Sequence, residues 1–387
     1  MKRLAIVTSH PIQYNAPLFR KLASSGQLAV KVFYTWGEQV LQKKYDPGFG
    51  KVIDWDIPLL EGYEYSFVKN VSTQPGTHHF RGMINPTLID EIGQWKADSI
   101  LVYGWNFHSH LACLRHFHGK TDVLFRGDST LLNDRPGVRK LMRRIFLRWV
   151  YSHVDYALYV GTNNKDYYLR HGLKERQLIP ALHAIDNDRF AGDDKALSRE
   201  AGLWRNRLGI ADDELTVLFA GKLDEQKNPF LILQLAELLK DEKIRFLFVG
   251  NGVAENELKR KAAGNPRVLF LDFQNQANMP LVYRLGDVFI FPSRGPETWG
   301  LAVNEAMACG RPVMVSLGAG CAPDLVEEGK NGIVFRSDDS RKCSQFIGEL
   351  SRDREALHRM GSYSRQKIGR FSYDHIVTSL VGLLNSR

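Results

Sequence analysis

The sequence predicts an α/β protein of two Rossmann-like domains, each a parallel sheet wrapped by helices. Three observations predict it. The chain has 387 residues, and at ~150 residues per domain that favours two domains. Short apolar runs alternate with helical patterns along most of the chain. A polar stretch at 186–212 carries no strand pattern and divides the alternation into two series.

The elements follow in order. Leu4–Val7 reads as a buried strand, with a polar loop from His10 to Pro17 and a helix over 18–24. Val30–Tyr34, Ile100–Val102 and Val123–Phe125 are further strands. All are apolar on both faces, as in a parallel sheet covered by helices. Residues 136–152 are strongly helical, and Tyr156–Val160 and Gln177–Pro180 close the first series. Asp193, Asp194 and Lys195 then suggest a connection between domains. The second series has strands at Leu215–Ala220, Ile244–Val249, Val268–Leu271, Val288–Phe291 and Val313–Ser316. Helices are expected at 229–240, 254–263, 279–285 and 301–309, with a mostly helical C-terminus. Such alternation implies right-handed crossovers and two parallel sheets facing across a cleft at the carboxyl ends of their strands.

Composition excludes several classes. No run reaches the ~18 apolar residues of a membrane-spanning helix. The opening Leu4–Val7 run is too short for a signal peptide. Cys113, Cys309, Cys321 and Cys343 show no metal-binding spacing and read as reduced, buried thiols of a cytoplasmic protein. The formal net charge is +9, which raises nucleic acid or an anionic membrane as partners. The excess lies almost wholly before residue 190, with 25 basic and 17 acidic residues there.

Ligand chemistry belongs in the loops after strands. Gly221 to Asn228 places Lys222 and Lys227 before a helix that opens at Pro229, a setting that suits a diphosphate. Gly250, Asn251 and Gly252 allow close backbone approach or simply make a tight turn. Residues 291–310 are the densest segment: a Gly/Pro loop holds Glu297, a helix starts near Gly300, and Glu305 sits on its second turn. Free amides near Trp299 to Ala302 suit phosphate oxygens. Glu305 suits a vicinal diol such as a ribose. The plainer alternative is a surface carboxylate and a helix charge. No GxGxxG or GxxxxGK[ST] fingerprint occurs, so dinucleotide and P-loop chemistry lack support.

Pro292-Ser293, Glu297-Thr298-Trp299-Gly300-Leu301 and Glu305-Ala306-Met307-Ala308 together resemble the glutamate-x7-glutamate signature of glycosyltransferase family four, a retaining family with the GT-B fold. Ala184-Ile185-Asp186, Phe219-Ala220-Gly221-Lys222, Val249-Gly250-Asn251-Gly252 and Gly318-Ala319-Gly320 are similar to other family segments, with Lys222 where arginine is usual. The resemblance implies that Lys222 and Lys227 hold the diphosphate of a nucleotide sugar. It implies that Glu305 binds the ribose and Glu297 the donor sugar. Gly221, Asn251, Thr298, Gly300 and Leu301 would line the donor site. It implies a metal-independent hexosyltransferase that needs no cofactor. The domains would be 1–190 for the acceptor, 191–365 for the nucleotide sugar, and a C-terminal helix at 366–387 that crosses back. Polysaccharide, lipopolysaccharide or glycolipid synthesis would be its setting.

In the first half, His10, Gln13 and Tyr14 follow the first strand, Trp105 the third and Arg126 and Asp128 the fourth. All six are candidate acceptor or cleft contacts. The family's usual histidine has no counterpart in the Arg126–Asp128 loop. His108, His110, His116 and His118 read as surface or core histidines rather than a metal site. Residues 139–150 form a basic amphipathic helix with five cations and no acid from 139 to 148. It has three readings: a core-facing helix with a solvated face, docking to anionic lipid at the inner face of the membrane, or capture of an anionic acceptor. A nucleotide-sugar epimerase or hydrolase, and a non-catalytic nucleic-acid-binding protein, are the alternative functions. The latter lacks any aromatic-basic recognition motif.

Overall fold

The structure, a computed structural model, describes residues 1–38, 44–46, 48–132, 137–240 and 242–386. The chain divides into two compact units. The first comprises Met1–Lys43, Ile57–His183 and Tyr373–Arg387; the second comprises Lys44–Asp56 and Ala184–Ser372. The sequence reading put 44–56 with the first half and the boundary at 190, so the two divisions differ at both places.

In the first unit, β1 (Lys2–Thr8), α1 (Ala16–Ser24) and β2 (Leu28–Tyr34) come first. The chain then makes β3 (Lys44–Asp46) and β4 (Lys51–Ile53), an antiparallel pair that belongs to the second unit. The first unit resumes with β5 (Glu64–Phe67), α2 (Leu88–Gln94), β6 (Ser99–Tyr103), α3 (His108–Phe117) and β7 (Asp122–Arg126). It continues with α4 (Val138–Tyr151), β8 (Tyr156–Tyr159), α5 (Thr162–Arg170) and β9 (Leu178–Pro180). Its seven strands run in the order β5-β2-β1-β6-β7-β8-β9, all parallel. Apolar residues on both faces of β1 and β6 explain why helices cover both sides.

The second unit opens with α6 (Asn187–Ala191) and α7 (Asp194–Arg207). This corrects the reading of 186–212 as a connection. The polar residues are helix caps: the side chains of Asp186 and Asp193 accept from the amides of Arg189 and Ala196. Next come β10 (Leu215–Ala220), α8 (Phe230–Leu238), β11 (Ile244–Val249), α9 (Glu255–Ala262), β12 (Val268–Leu271) and α10 (Met279–Leu285). β13 (Val288–Phe291), α11 (Leu301–Ala308), β14 (Val313–Ser316), α12 (Ala322–Leu325) and β15 (Gly332–Phe335) follow. Helices α13 (Ser340–Arg352) and α14 (Arg354–Ile368) complete this unit, and α15 (Tyr373–Asn385) belongs to the first. The sheet order is β12-β11-β10-β13-β14-β15. β15 was absent from the expected helical C-terminus. Pro136, the expected start of α4, lies outside the described residues.

Both sheets reverse strand order at one point, between β1 and β6 and between β10 and β13. Loops leaving the two strands at such a point diverge to opposite faces and leave a crevice for ligand. The fold is therefore of the expected GT-B class, two Rossmann-like α/β units. Among the described residues no helix is long and apolar enough to cross a membrane. All four cysteines are free and buried.

His110 is a pH-dependent element of the first unit. Its Nδ1 lies 2.9 Å from the Tyr103 carbonyl oxygen, which can only accept, so Nδ1 carries the proton. Nε2 then accepts from the Thr35 hydroxyl at 2.8 Å. Burial pushes its pKa down from the ordinary 6.5 to about 4. Above pH 6.5 the imidazole is neutral in both folded and unfolded chains. Between 6.5 and 4 only the unfolded chain gains the proton, so stability falls with pH, by up to about 3 kcal/mol. Urea unfolding across this window should show that slope, and His110→Gln should flatten it; an unchanged slope contradicts the assignment.

Candidate functional site

The second unit's candidate site begins where β10 and β13 end. Gly221 to Asn228 leaves β10 and is stitched to both neighbours. The Leu223 amide donates to the Asn251 carbonyl at 3.0 Å, and the Ala254 amide to the Leu223 carbonyl at 2.9 Å. Gly250 must be glycine, because its φ is +132° and a Cβ would collide with the Gly221 carbonyl oxygen. Toward β13, the Arg294 amide donates to the Gln226 carbonyl at 2.8 Å. Buried Asn228, at φ +53°, donates from Nδ2 to the carbonyls of Pro292 and Ser337. Asp224 accepts from the Lys227 amide at 2.9 Å, which fixes the turn carrying that lysine.

The loop after β13 is held from the other side. The Glu297 amide donates to the Gly318 carbonyl, and the Gly320 amide returns a bond to the Glu297 carbonyl, both at 2.9 Å. A Cβ on Gly320 would overlap the Thr298 carbonyl oxygen. The Gly318–Gly320 segment therefore supports the backbone of Glu297. Gly300 begins α11 at φ +109°, with the Phe291 ring 2.9 Å from where a Cβ would stand. This places the amides of the first α11 turn beside the end of β13.

These constraints bring Lys227 and Glu297 together. Lys227 Nζ lies 2.5 Å from Glu297 Oε2, with each side chain 21% exposed. Ser293 Oγ donates to the same oxygen at 3.4 Å. The Lys227 ammonium also lies 5.3 Å from the centre of the Phe291 ring. Glu305 is buried at 2% exposure, and its Oε2 accepts from the Tyr283 hydroxyl at 2.7 Å. Thr298 is exposed, while buried Trp299 donates from Nε1 to Asn304 Oδ1 at 2.8 Å.

Lys222 has a neighbour that the sequence reading missed. Its ammonium lies 4.9 Å from the centre of the Phe49 ring, in the turn between β3 and β4. The Phe49 ring meets Phe273 edge-on at 4.8 Å. Lys51 pairs with Asp272 at 3.6 Å, and Asp56 accepts from the Ala277 amide at 3.0 Å. No local pattern near residue 49 points 170 residues down the chain.

Other expected residues have different surroundings. Asn251 is a strut rather than an open contact: Nδ2 donates to Glu255 and Asp272, and Oδ1 accepts from the Phe273 amide. Arg126 is buried, and its Nη1 donates to the Ala181 carbonyl at 2.6 Å. Its charge, after burial itself, helps hold the His183 pKa well below the usual range. Trp105 packs edge-on against Phe146 at 5.3 Å. His10 lies 2.8 Å from Ser9 Oγ and edge-on to Trp36. The Tyr14 carbonyl accepts from the Tyr373 hydroxyl, Gln13 is half-buried and Asp128 is exposed. The loops carrying these residues leave the adjacent strands β1, β6 and β7. His110 is a core residue, and among the described residues no group of three or more His, Cys, Asp and Glu could hold a metal ion.

Helix α4 buries Leu147, Val150 and Tyr151. Val138, Leu141, Met142, Ile145 and Trp149 stay exposed, from 41% to 77%. Their spacing puts them on one stripe. Arg139 and Arg143 flank it on one side, Arg144 and Arg148 on the other. The apolar spacing seen in the sequence therefore marks an outward face, not the core-facing one.

Comparison with known proteins concentrates on the second unit. Residues 201–367 match the family model described as glycosyl transferases group 1. The chain is 28% identical to spore coat protein SA of Bacillus subtilis over 192 residues, 46% of this chain and 50% of that protein. It is 30% identical to a D-inositol 3-phosphate glycosyltransferase of Geodermatophilus obscurus over 225 residues, 54% of this chain and 48% of that one. The chain thus spans about half the length of these curated relatives. The crystal structure of Anabaena Alr3699/HepE in complex with UDP matches over 100% of both chains, with TM-score 0.74 and 17% identity. The same Anabaena protein in complex with UDP-glucose matches with TM-score 0.69.

Proposed function

From the match of residues 201–367 to the glycosyl transferases group 1 model, we propose that this protein is a retaining, metal-independent glycosyltransferase. It moves a hexose from a nucleoside diphosphate sugar to a hydroxyl acceptor. The observation that carries the reading is the Lys227–Glu297 pair at the reversal point of the second sheet, beside the start of α11. UDP and UDP-glucose, bound by the Anabaena protein of like fold, are the donor ligands to try first.

The residues take the following roles. The amides of Gly300 and Leu301 and the ammonium groups of Lys222 and Lys227 hold the diphosphate, with Gly221 and Thr298 at its border. Glu305 accepts from the ribose hydroxyls while Tyr283 fixes its carboxylate. Glu297 orients the donor sugar. Asn251 keeps the three strand exits in register. The bond from the anomeric carbon to phosphate breaks as the acceptor oxygen attacks the same face. The acceptor proton passes to the departing phosphate oxygen. Fixed cations at the diphosphate stabilise the charge that develops there. Phosphate oxygens compete with Glu297 for Lys227, so donor binding loosens the pair and frees the carboxylate for the sugar.

Acceptor contacts come from His10, Gln13, Tyr14 and Asp128, with Arg126 and Trp105 shaping their loops. The acceptor is lipid-linked, and the protein works at the inner face of the membrane, docked through α4. An apolar stripe flanked by cations is the composition that binds anionic bilayers.

Three measurements check these assignments. Glu305→Ala should weaken UDP binding at least tenfold by calorimetry, and Lys227→Ala should lower the transfer rate by 10²-fold or more. Unchanged UDP affinity removes Glu305 from the ribose, and an unchanged rate removes Lys227 from the leaving group. Arg143→Glu combined with Arg144→Glu should abolish sedimentation with vesicles of phosphatidylglycerol. Equal sedimentation of variant and parent contradicts docking.

A further inference from the structure

At the amino ends of β13 and β14, the opposite end of these strands from the loops above, lies a cavity of about 560 Å³. It is within the 300–1,000 Å³ range of small-molecule sites. One wall is α14, which presents His358, Ser362 and Arg365 on one face. Another is α7, with Asp194 and Ser198. The floor is Asp287 and the turn through Arg311 that leads into β14.

Positive charge exceeds negative charge here. Asp194 is shared by Arg365, through a two-pronged contact at 2.9 and 3.1 Å, and by Arg284 at 2.8 Å. Asp287 is shared by Arg205 at 3.1 Å and Arg354 at 3.8 Å. Among the described residues Arg311 makes no ion pair, although the nearby Asp287 carboxylate favours its charge. Its Nε donates to the Cys309 carbonyl and its Nη1 to the Gly286 carbonyl. Nη2 makes no hydrogen bond to protein among the described residues. Arg311 and Arg365 line the cavity beside these two carboxylates, and Arg284, Arg205 and Arg354 pair with the carboxylates from outside the lining. Arg365 Nε is also buried without a partner. The Arg365 Nε matters, because a buried donor left unmade is costly and is met by ligand or water.

Two pKa directions fit this picture. Burial works to raise the Asp194 pKa, but the hydrogen bonds from Arg365 and Arg284 outweigh it, and the net shift is downward. Burial disfavours the charge on Arg311 and lowers its pKa. The first carboxylate is saturated with cations, and the spare guanidinium is poorly solvated.

We infer that this cavity is a second anion site, one that takes a phosphate-bearing small molecule between Arg311 and Arg365, with Ser198 and Ser362 at its rim. Guanidinium forks match phosphate oxygens in plane and spacing, which lysines do not. The site is separate from the donor loops, since those leave the carboxyl ends of the same strands. Its ligand would bridge α7, α14 and the entrance to β14.

The test uses the full chain carrying Lys222→Ala and Lys227→Ala, which removes the cations assigned to the donor diphosphate. Inorganic pyrophosphate titrated calorimetrically into this variant should bind at one site per chain. Adding Ser362→Glu, an exposed rim position, should weaken that binding at least tenfold with an unchanged thermal midpoint. Arg365→Met should do the same; if it lowers the midpoint, the Ser362→Glu result decides. No saturable binding, or binding indifferent to Ser362→Glu, overturns the inference. The readout is pyrophosphate binding in a donor-defective chain. Failure of the transferase reading would appear elsewhere, in UDP affinity and transfer rate.

Discussion

The contact between Lys227 and Glu297 is the constraint around which the second unit is organised. The two residues leave different strands, β10 and β13, at the one place where the sheet reverses its order. Holding an ammonium and a carboxylate 2.5 Å apart there requires both loops to be rigid. The structure supplies that rigidity through hydrogen bonds to backbone carbonyls rather than side-chain bulk. Asn228 ties the first loop to the end of β13, and Gly318 to Gly320 tie the second to the end of β14. Glycines stand where one backbone runs against another. A side chain at Gly250 would push the β10 and β11 loops apart, and one at Gly320 the β13 and β14 loops.

Much of this was legible in the sequence for a definite reason. Strand-to-helix loops carry requirements that are local: a glycine where φ is positive, an acid or lysine at a helix entrance, an asparagine in a tight turn. The 291–310 segment and the 221–228 loop show these requirements within twenty residues. Parallel strands buried on both faces are equally plain, as β1, β10 and β13 are continuous apolar runs.

What was not legible depends on contacts between distant parts of the chain. Nothing near Phe49 shows that it will lie against Lys222. Arg126 follows a strand as a ligand contact would, yet its guanidinium turns inward to the Ala181 carbonyl. Asn251 has the residue type of a ligand contact, but its side-chain amide is spent joining the β11 exit to the β12 exit and to α9. The 186–212 stretch was misjudged because capping aspartates have the composition of a linker. The charge arithmetic misled in a similar way. The second half carries almost no net charge, yet it concentrates five arginines around two aspartates at one end of its strands.

The central claim is that Glu297 holds Lys227 in place and gives it up to the donor diphosphate. A double-mutant cycle on UDP binding, with Lys227→Ala, Glu297→Ala and the combined variant, tests it most directly. The account predicts that Lys227→Ala weakens UDP at least tenfold. Glu297→Ala should leave UDP affinity equal or tighter, because the ammonium no longer has to leave a carboxylate. The combined variant should bind like Lys227→Ala alone. If Glu297→Ala weakens UDP as much as Lys227→Ala does, the two residues do not exchange partners and the account is wrong.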